Sequence, residues 1–190
     1  MVLVVGTIIL VVCAVAFTGG SFARIGGIHL RALWLLIGAL VAQVLLEFVG
    51  LPKARYEDLG FALLLGTYAL ILTFCGLNRR VSGMLVVTIG VCLNVLVIAL
   101  NQGMPTKDDV VERNGRTVHV PIERTVKQRP QEDDDLLPFL GDVLTVPRFP
   151  RQQFSIGDVI IAIGLADVSF EASRRPRRRG DYLPEAAASA

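Results

Sequence analysis

The chain has 190 residues, of which 53% are apolar and only 19% charged, with a formal charge of +2 and a mean hydropathy of +0.57. That balance argues against an ordinary soluble domain, and the small net charge identifies no partner by itself. The distribution of charge is more informative than its sum.

Apolar residues gather into long blocks, each near the roughly 20 residues a helix needs to cross about 30 Å of hydrocarbon. The blocks are 1–18, 32–49, 59–77 and 81–100, and Glu47 is the only acid or base within them. A soluble helix would carry charge on one face at nearly every turn, so these blocks predict membrane spans. The first lacks both a basic n-region and an A-x-A-like site before Gly19 and Gly20, so it reads as a retained helix and not as a removable signal peptide. Cys13, Cys75 and Cys92 all lie inside apolar blocks, where unpaired cysteine behaves as a small hydrophobe.

A glycine-punctuated loop with Arg24 and Arg31 joins the first two spans, and Pro52 stops the second. Glu57 or Asp58 suits the positive N-terminus of the third, and Asn78, Arg79 and Arg80 make a tight turn into the fourth.

Composition changes after Leu100, because residues 101–153 carry eight basic and nine acidic side chains among several prolines. This segment reads as a solvated extracytoplasmic loop. Asn114 and Gly115 lie between two β-prone runs, as a type I′ turn requires, which predicts a small hairpin over 110–120. Residues 128–135 are charged and poor in apolar groups, which predicts a mobile stretch. Residues 136–144 are apolar but too short to cross, so they should lie at the membrane surface or dip into it.

A fifth span is expected over 154–170, with Asp158 and Asp167 near its ends, where a charge costs less than the roughly 2.5 to 3.5 kcal/mol it costs at mid-bilayer. The chain ends in a basic tail, with Arg174, Arg175, Arg177, Arg178 and Arg179, followed by small residues. The expected architecture is therefore an all-α membrane bundle of about five helices. It divides into four spans over 1–100, an outer loop over 101–153, a fifth span over 154–171 and a cytoplasmic tail over 172–190.

Orientation follows from lysines and arginines near helix ends. With the C-terminus inside, nine fall on the cytoplasmic face: Arg24, Arg31, Arg79, Arg80 and the five arginines of the tail. Seven fall outside: Lys53, Arg55, Lys107, Arg113, Arg116, Arg148 and Arg151. The N-terminus is accordingly expected outside and the C-terminus in the cytoplasm of a multi-pass cell-membrane protein.

In that topology Gln43, Glu47, Asn94, Asn101, Asp142 and Asp158 converge on the outer third of the bundle. Two readings are open. In one, Gln43, Asn94 and Asn101 bond between helices and Asp158 caps the last helix after Ser155. In the other, Asp142 and Asp158 form a catalytic pair in which one carboxyl keeps a proton and the two act as acid and base on water.

Phe154, Ser155, Ile156, Gly157 and Asp158, followed by an apolar run with Gly164, resemble the F-N-x-A-D motif of the lipoprotein signal peptidases. Ser155 stands where that family has Asn. The resemblance implies a dyad of Asp158 with an upstream aspartate, for which Gly141, Asp142 and Val143 supply the candidate, and Gly90 to Asn94 echoes the family's G-x-x-x-N pattern. That family has four spans where five are expected here. Over nearly its full length the chain also resembles a family of small multi-pass membrane proteins of unknown function. That likeness rests on Asn101 to Pro105, on Leu140, Gly141 and Asp142, and on Ser155 to Asp158; it implies no activity.

His29 and His119 fall on opposite faces, so no metal site is expected, and no phosphate loop or other cofactor motif is present. The basic tail lacks the aromatic or structured face that nucleic-acid binding needs; it reads first as a topological anchor and second as a site for anionic lipid headgroups. With no complete catalytic motif, the leading expectation is a non-catalytic accessory or scaffold protein in contact with the bilayer and with other membrane protein subunits. The alternative is an intramembrane aspartyl peptidase-like enzyme using Asp142 and Asp158.

Overall fold

The computed structural model describes residues 29–48, 57–113, 116–120, 125–145 and 153–174. The expected first span, Pro52 and the basic tail beyond Arg174 lie outside the described residues. Among the described residues are four helices: α1 Leu33–Phe48, α2 Glu57–Leu77, α3 Met84–Asn101 and α4 Ile156–Arg174. Two of them are long and apolar enough to cross a membrane, over Asp58–Leu77 and Met84–Asn101, and α1 holds a shorter apolar stretch, Leu33–Leu46.

The helices alternate in direction, and polar side chains at their ends fix the alternation. Asn78, just past α2, accepts a bond from the Arg31 backbone N–H at 2.8 Å and donates to the Arg31 carbonyl at 2.9 Å, which pins the start of α1 to the end of α2. Gly83 then adopts φ +79, open to glycine at little cost, and lets the chain turn straight into α3. Along α3 the residues Gly83, Gly90 and Asn94 meet Gly164, Gly157 and Ser155 of the last region in reverse order, so α3 and α4 are antiparallel.

That contact is built on small residues. A Cβ added to Gly90 would sit 2.6 Å from the Gly157 carbonyl oxygen, and one added to Gly164 would sit 2.7 Å from the Val87 backbone nitrogen. Such close approach of two backbones is how helices associate where no water is available to drive them together. The core between the helices holds Leu64, Phe74, Cys75, Val97 and Ile98, with Ala39 from α1.

At the far end of α3 the chain reverses through Gln102 and Gly103 and enters three two-stranded ribbons: β1 Met104–Thr106 with β4 Gln128–Pro130, parallel; β2 Asp109–Arg113 with β3 Arg116–Val120, antiparallel; β5 Leu144–Thr145 with β6 Gln153–Phe154, antiparallel. Asn114 and Gly115, the turn of the expected hairpin, lie outside the described residues. A 3-10 turn, Pro138–Leu140, precedes Asp142.

Residues 128–135 depart from expectation. Instead of staying mobile, they form β4 and a buried ion pair between Arg129 and Asp135. Arg129 Nε donates to the Asn101 carbonyl at 2.7 Å, and Asp135 accepts from the Glu132 N–H at 2.8 Å. Of the charge that composition assigns to solvent, Arg129 and Asp135 are satisfied internally, while Glu132, Asp133 and Asp134 stay exposed.

Candidate functional site

The end of the bundle beneath the ribbons gathers most of the polar residues singled out in the sequence. Ser155 is the residue before α4, and its hydroxyl accepts the Asp158 N–H at 3.0 Å while the Asp158 carboxylate accepts the Ser155 N–H at 3.3 Å. This reciprocal arrangement is a capping box closed by Asp in place of Glu or Gln, and it satisfies two N–H groups that a helix start otherwise leaves unpaired. Asn94 of α3 completes the knot. Its Nδ2 donates to Asp158 Oδ1 at 2.8 Å, and its Oδ1 accepts the Ser155 hydroxyl at 2.8 Å. Gly157 leaves the room this requires, because a Cβ there would collide with the Asn94 amide.

Asp142 reaches the same neighbourhood from the loop. The Gly141 backbone lies hard against the Pro105 carbonyl, and the Asp142 N–H donates to that oxygen at 2.9 Å, which sets Asp142 beside β1. Gln128, on β4, donates through Nε2 to Asp142 Oδ2 at 2.6 Å. The Asp142 side chain is buried, and its pKa is pushed up to about 6, first by burial and further by the negative charge of Asp158; the Gln128 bond and the positive charge of Lys127 oppose the shift. Asp142 and Asp158 are therefore within electrostatic reach of one another, and the Tyr68 hydroxyl of α2 feels both, together with Lys127.

The other expected residues separate from this pair. Asn101 serves as a latch between α3 and the loop: its Nδ2 donates to the Leu136 carbonyl at 2.8 Å and its Oδ1 accepts the Leu136 N–H at 2.8 Å. Gln43 donates to the Thr67 hydroxyl at 3.0 Å, linking α1 to α2. The Glu47 side chain lies outside the described residues. Gln43 also lines a groove of about 310 Å³ between α1, α2 and residues 125–127 of the loop.

Sequence reasoning did not single out Gln128, Lys127 or Tyr68. The first two sit in a stretch whose composition reads as solvent, and Tyr68 sits in an apolar block as one aromatic among many. Only the return of β4 beside β1 reveals them. Among the described residues no group of three or more His, Cys, Asp or Glu could hold a metal ion.

The model of one protein family matches residues 27–168, and its description is a family of unknown function, DUF5317. No curated protein and no solved structure matches the chain.

Proposed function

We propose, from the premise that the chain belongs to the DUF5317 family of unknown function, that it is a multi-pass membrane protein whose Asp142 and Asp158 work as an acid and base pair on a membrane-embedded substrate. In this reading the chain crosses the bilayer five times, with 1–18 as the first span. The ribbons, with the hairpin closed by Asn114 and Gly115, lie outside the cell membrane and the C-terminus in the cytoplasm. The outward faces of α1 to α3 support a lipid surround, since Trp34, Ile37, Val41, Leu45, Leu63, Leu85 and Ile89 are all exposed while Asn78 and Asn94 are buried.

The single observation that carries the acid pair is the buried Asp142, whose proton affinity is raised by burial and by Asp158. A carboxyl whose proton affinity is raised toward neutrality, within the field of a second carboxylate that accepts hydrogen bonds, matches the division of labour in aspartyl hydrolysis. Asp158 would take a proton from water as the water oxygen bonds to the substrate carbonyl carbon, and Asp142 would give its proton to the carbonyl oxygen. The resulting tetrahedral centre then breaks its bond to the leaving nitrogen, which receives the proton held by Asp158, while Asp142 takes back a hydroxyl proton as the carbonyl reforms, so both carboxyls return to their starting states. Asn94 and Ser155 position Asp158, and Gln128 positions Asp142.

The test replaces each aspartate by asparagine in the cell. Either variant should fold and should let an uncleaved membrane polypeptide accumulate relative to the parent chain. Membrane proteomes identical to the parent's for both variants would overturn the reading, as would carboxyl groups in an experimental structure separated by more than about 8 Å with no water between them.

A second reading, a non-catalytic accessory or scaffold protein, is favoured by how completely Asn94, Ser155 and Asp158 satisfy one another. A chain that always purifies alone in mild detergent would count against it.

A further inference from the structure

The groove between α1, α2 and residues 125–127 has walls of two kinds. Leu40 and Val44 of α1, one turn apart and about half exposed, form an apolar side with Leu46, and Leu64 of α2 is fully buried at its base. The polar lining comes from Gln43 of α1 and from the loop, where Thr125 and Lys127 are exposed. Its volume, about 310 Å³, is at the lower end of the range for small-molecule sites. An apolar slot with one cation among its described lining residues, at the end where the ribbons begin, has the polarity of one lipid molecule standing in a leaflet.

We propose that this groove seats an acyl chain of an anionic phospholipid, with the headgroup phosphate against Lys127. The aliphatic walls on α1 belong to a face that the membrane reading places in hydrocarbon, and the Lys127 ammonium supplies the complement to a negative headgroup. The inference rests on the chain being a membrane protein and not on the acid pair. It also places the lipid at the edge of the candidate site, because the charge of Lys127 reaches Asp142 and Tyr68.

Native mass spectrometry of the purified full chain in mild detergent, with phosphatidylglycerol or phosphatidylcholine added at equal concentration, tests it. The parent chain should retain one phosphatidylglycerol with about fivefold preference, the effect expected of one basic side chain on an anionic headgroup. Lys127→Gln should abolish the preference, and Val44→Phe, which fills the slot from its exposed side, should reduce retention of both lipids while leaving the unfolding temperature unchanged. Equal retention of the two lipids by the parent chain would overturn the inference, as would a preference that survives both substitutions. A co-purifying peptide lost on Val44→Phe, in place of lipid, would also overturn it. A chain that stays dispersed without detergent would instead sink the membrane reading beneath it, so the two failures are distinguishable.

Discussion

Asp142 combines two properties that single residues rarely share: it is nearly inaccessible, and its carboxylate accepts a side-chain hydrogen bond from neutral Gln128. Burial and the charge of Asp158 outweigh that bond and the field of Lys127, which is why its pKa lies near 6, above the ordinary 3.8. The folded state therefore binds the proton more tightly than the unfolded chain does. Stability from this group is full below about pH 4 and falls as pH rises to about 6, by about 3 kcal/mol, and is constant above that. Asp142→Asn keeps an acceptor for Gln128 and removes the titration. The expected outcome is a variant that unfolds in detergent with a shallower pH dependence between pH 4 and 6 than the parent and is more stable than it at pH 7. Parallel curves for the two chains would show that Asp142 does not titrate in this window.

Between elements, the α3 and α4 contact makes the sharpest demands. Gly90→Ala would push a methyl against the Gly157 carbonyl and the Ile161 backbone, neither of which can swing aside, and should cost about 1 to 3 kcal/mol in thermal unfolding. Gly66→Ala on α2 meets no atom within 4 Å and should be neutral or stabilising by up to about 1 kcal/mol, so the pair separates packing from helix propensity. Arg129 poses a different test, because Arg129→Met leaves the Asp135 carboxylate buried without its cation. A loss of about 3 kcal/mol, with faster proteolysis of the loop, is expected. The helices were legible because the absence of charge is a local property: the apolar blocks 32–49 and 59–77 bracket α1 and α2 to within two residues. The Ser155 and Asp158 cap was legible for the same reason, as its spacing is local. Arg129, Asp135 and Gln128 were not, since a charged residue paired across six positions, or with a helix end 28 residues away, has the same composition as one in water.

For the whole molecule the question is what surrounds the aliphatic exterior. Residues 1–18 lie outside the described set, and α4 carries Asp158, Asp167, Glu171 and Arg174, so only α2 and α3 have the length and composition of a span outright. The exterior itself offers a probe. Trp34, the single tryptophan of the chain, stands at the start of α1 with 71% of its surface exposed, beside the turn where Asn78 holds Arg31. An indole at the end of a span settles at the headgroup level, with its ring in the apolar boundary and its N–H toward water. In vesicles containing brominated phospholipids, Trp34 fluorescence should therefore be quenched most by bromines placed high on the acyl chain, near the glycerol, and less by those near the bilayer centre. In water α1 would leave its apolar face exposed with no such gradient, and a fluorescence indifferent to bromine at every depth would remove α1 from the membrane. Strongest quenching from the centre would instead place the start of α1 inside the hydrocarbon and shift the boundary that orders every other depth in the bundle.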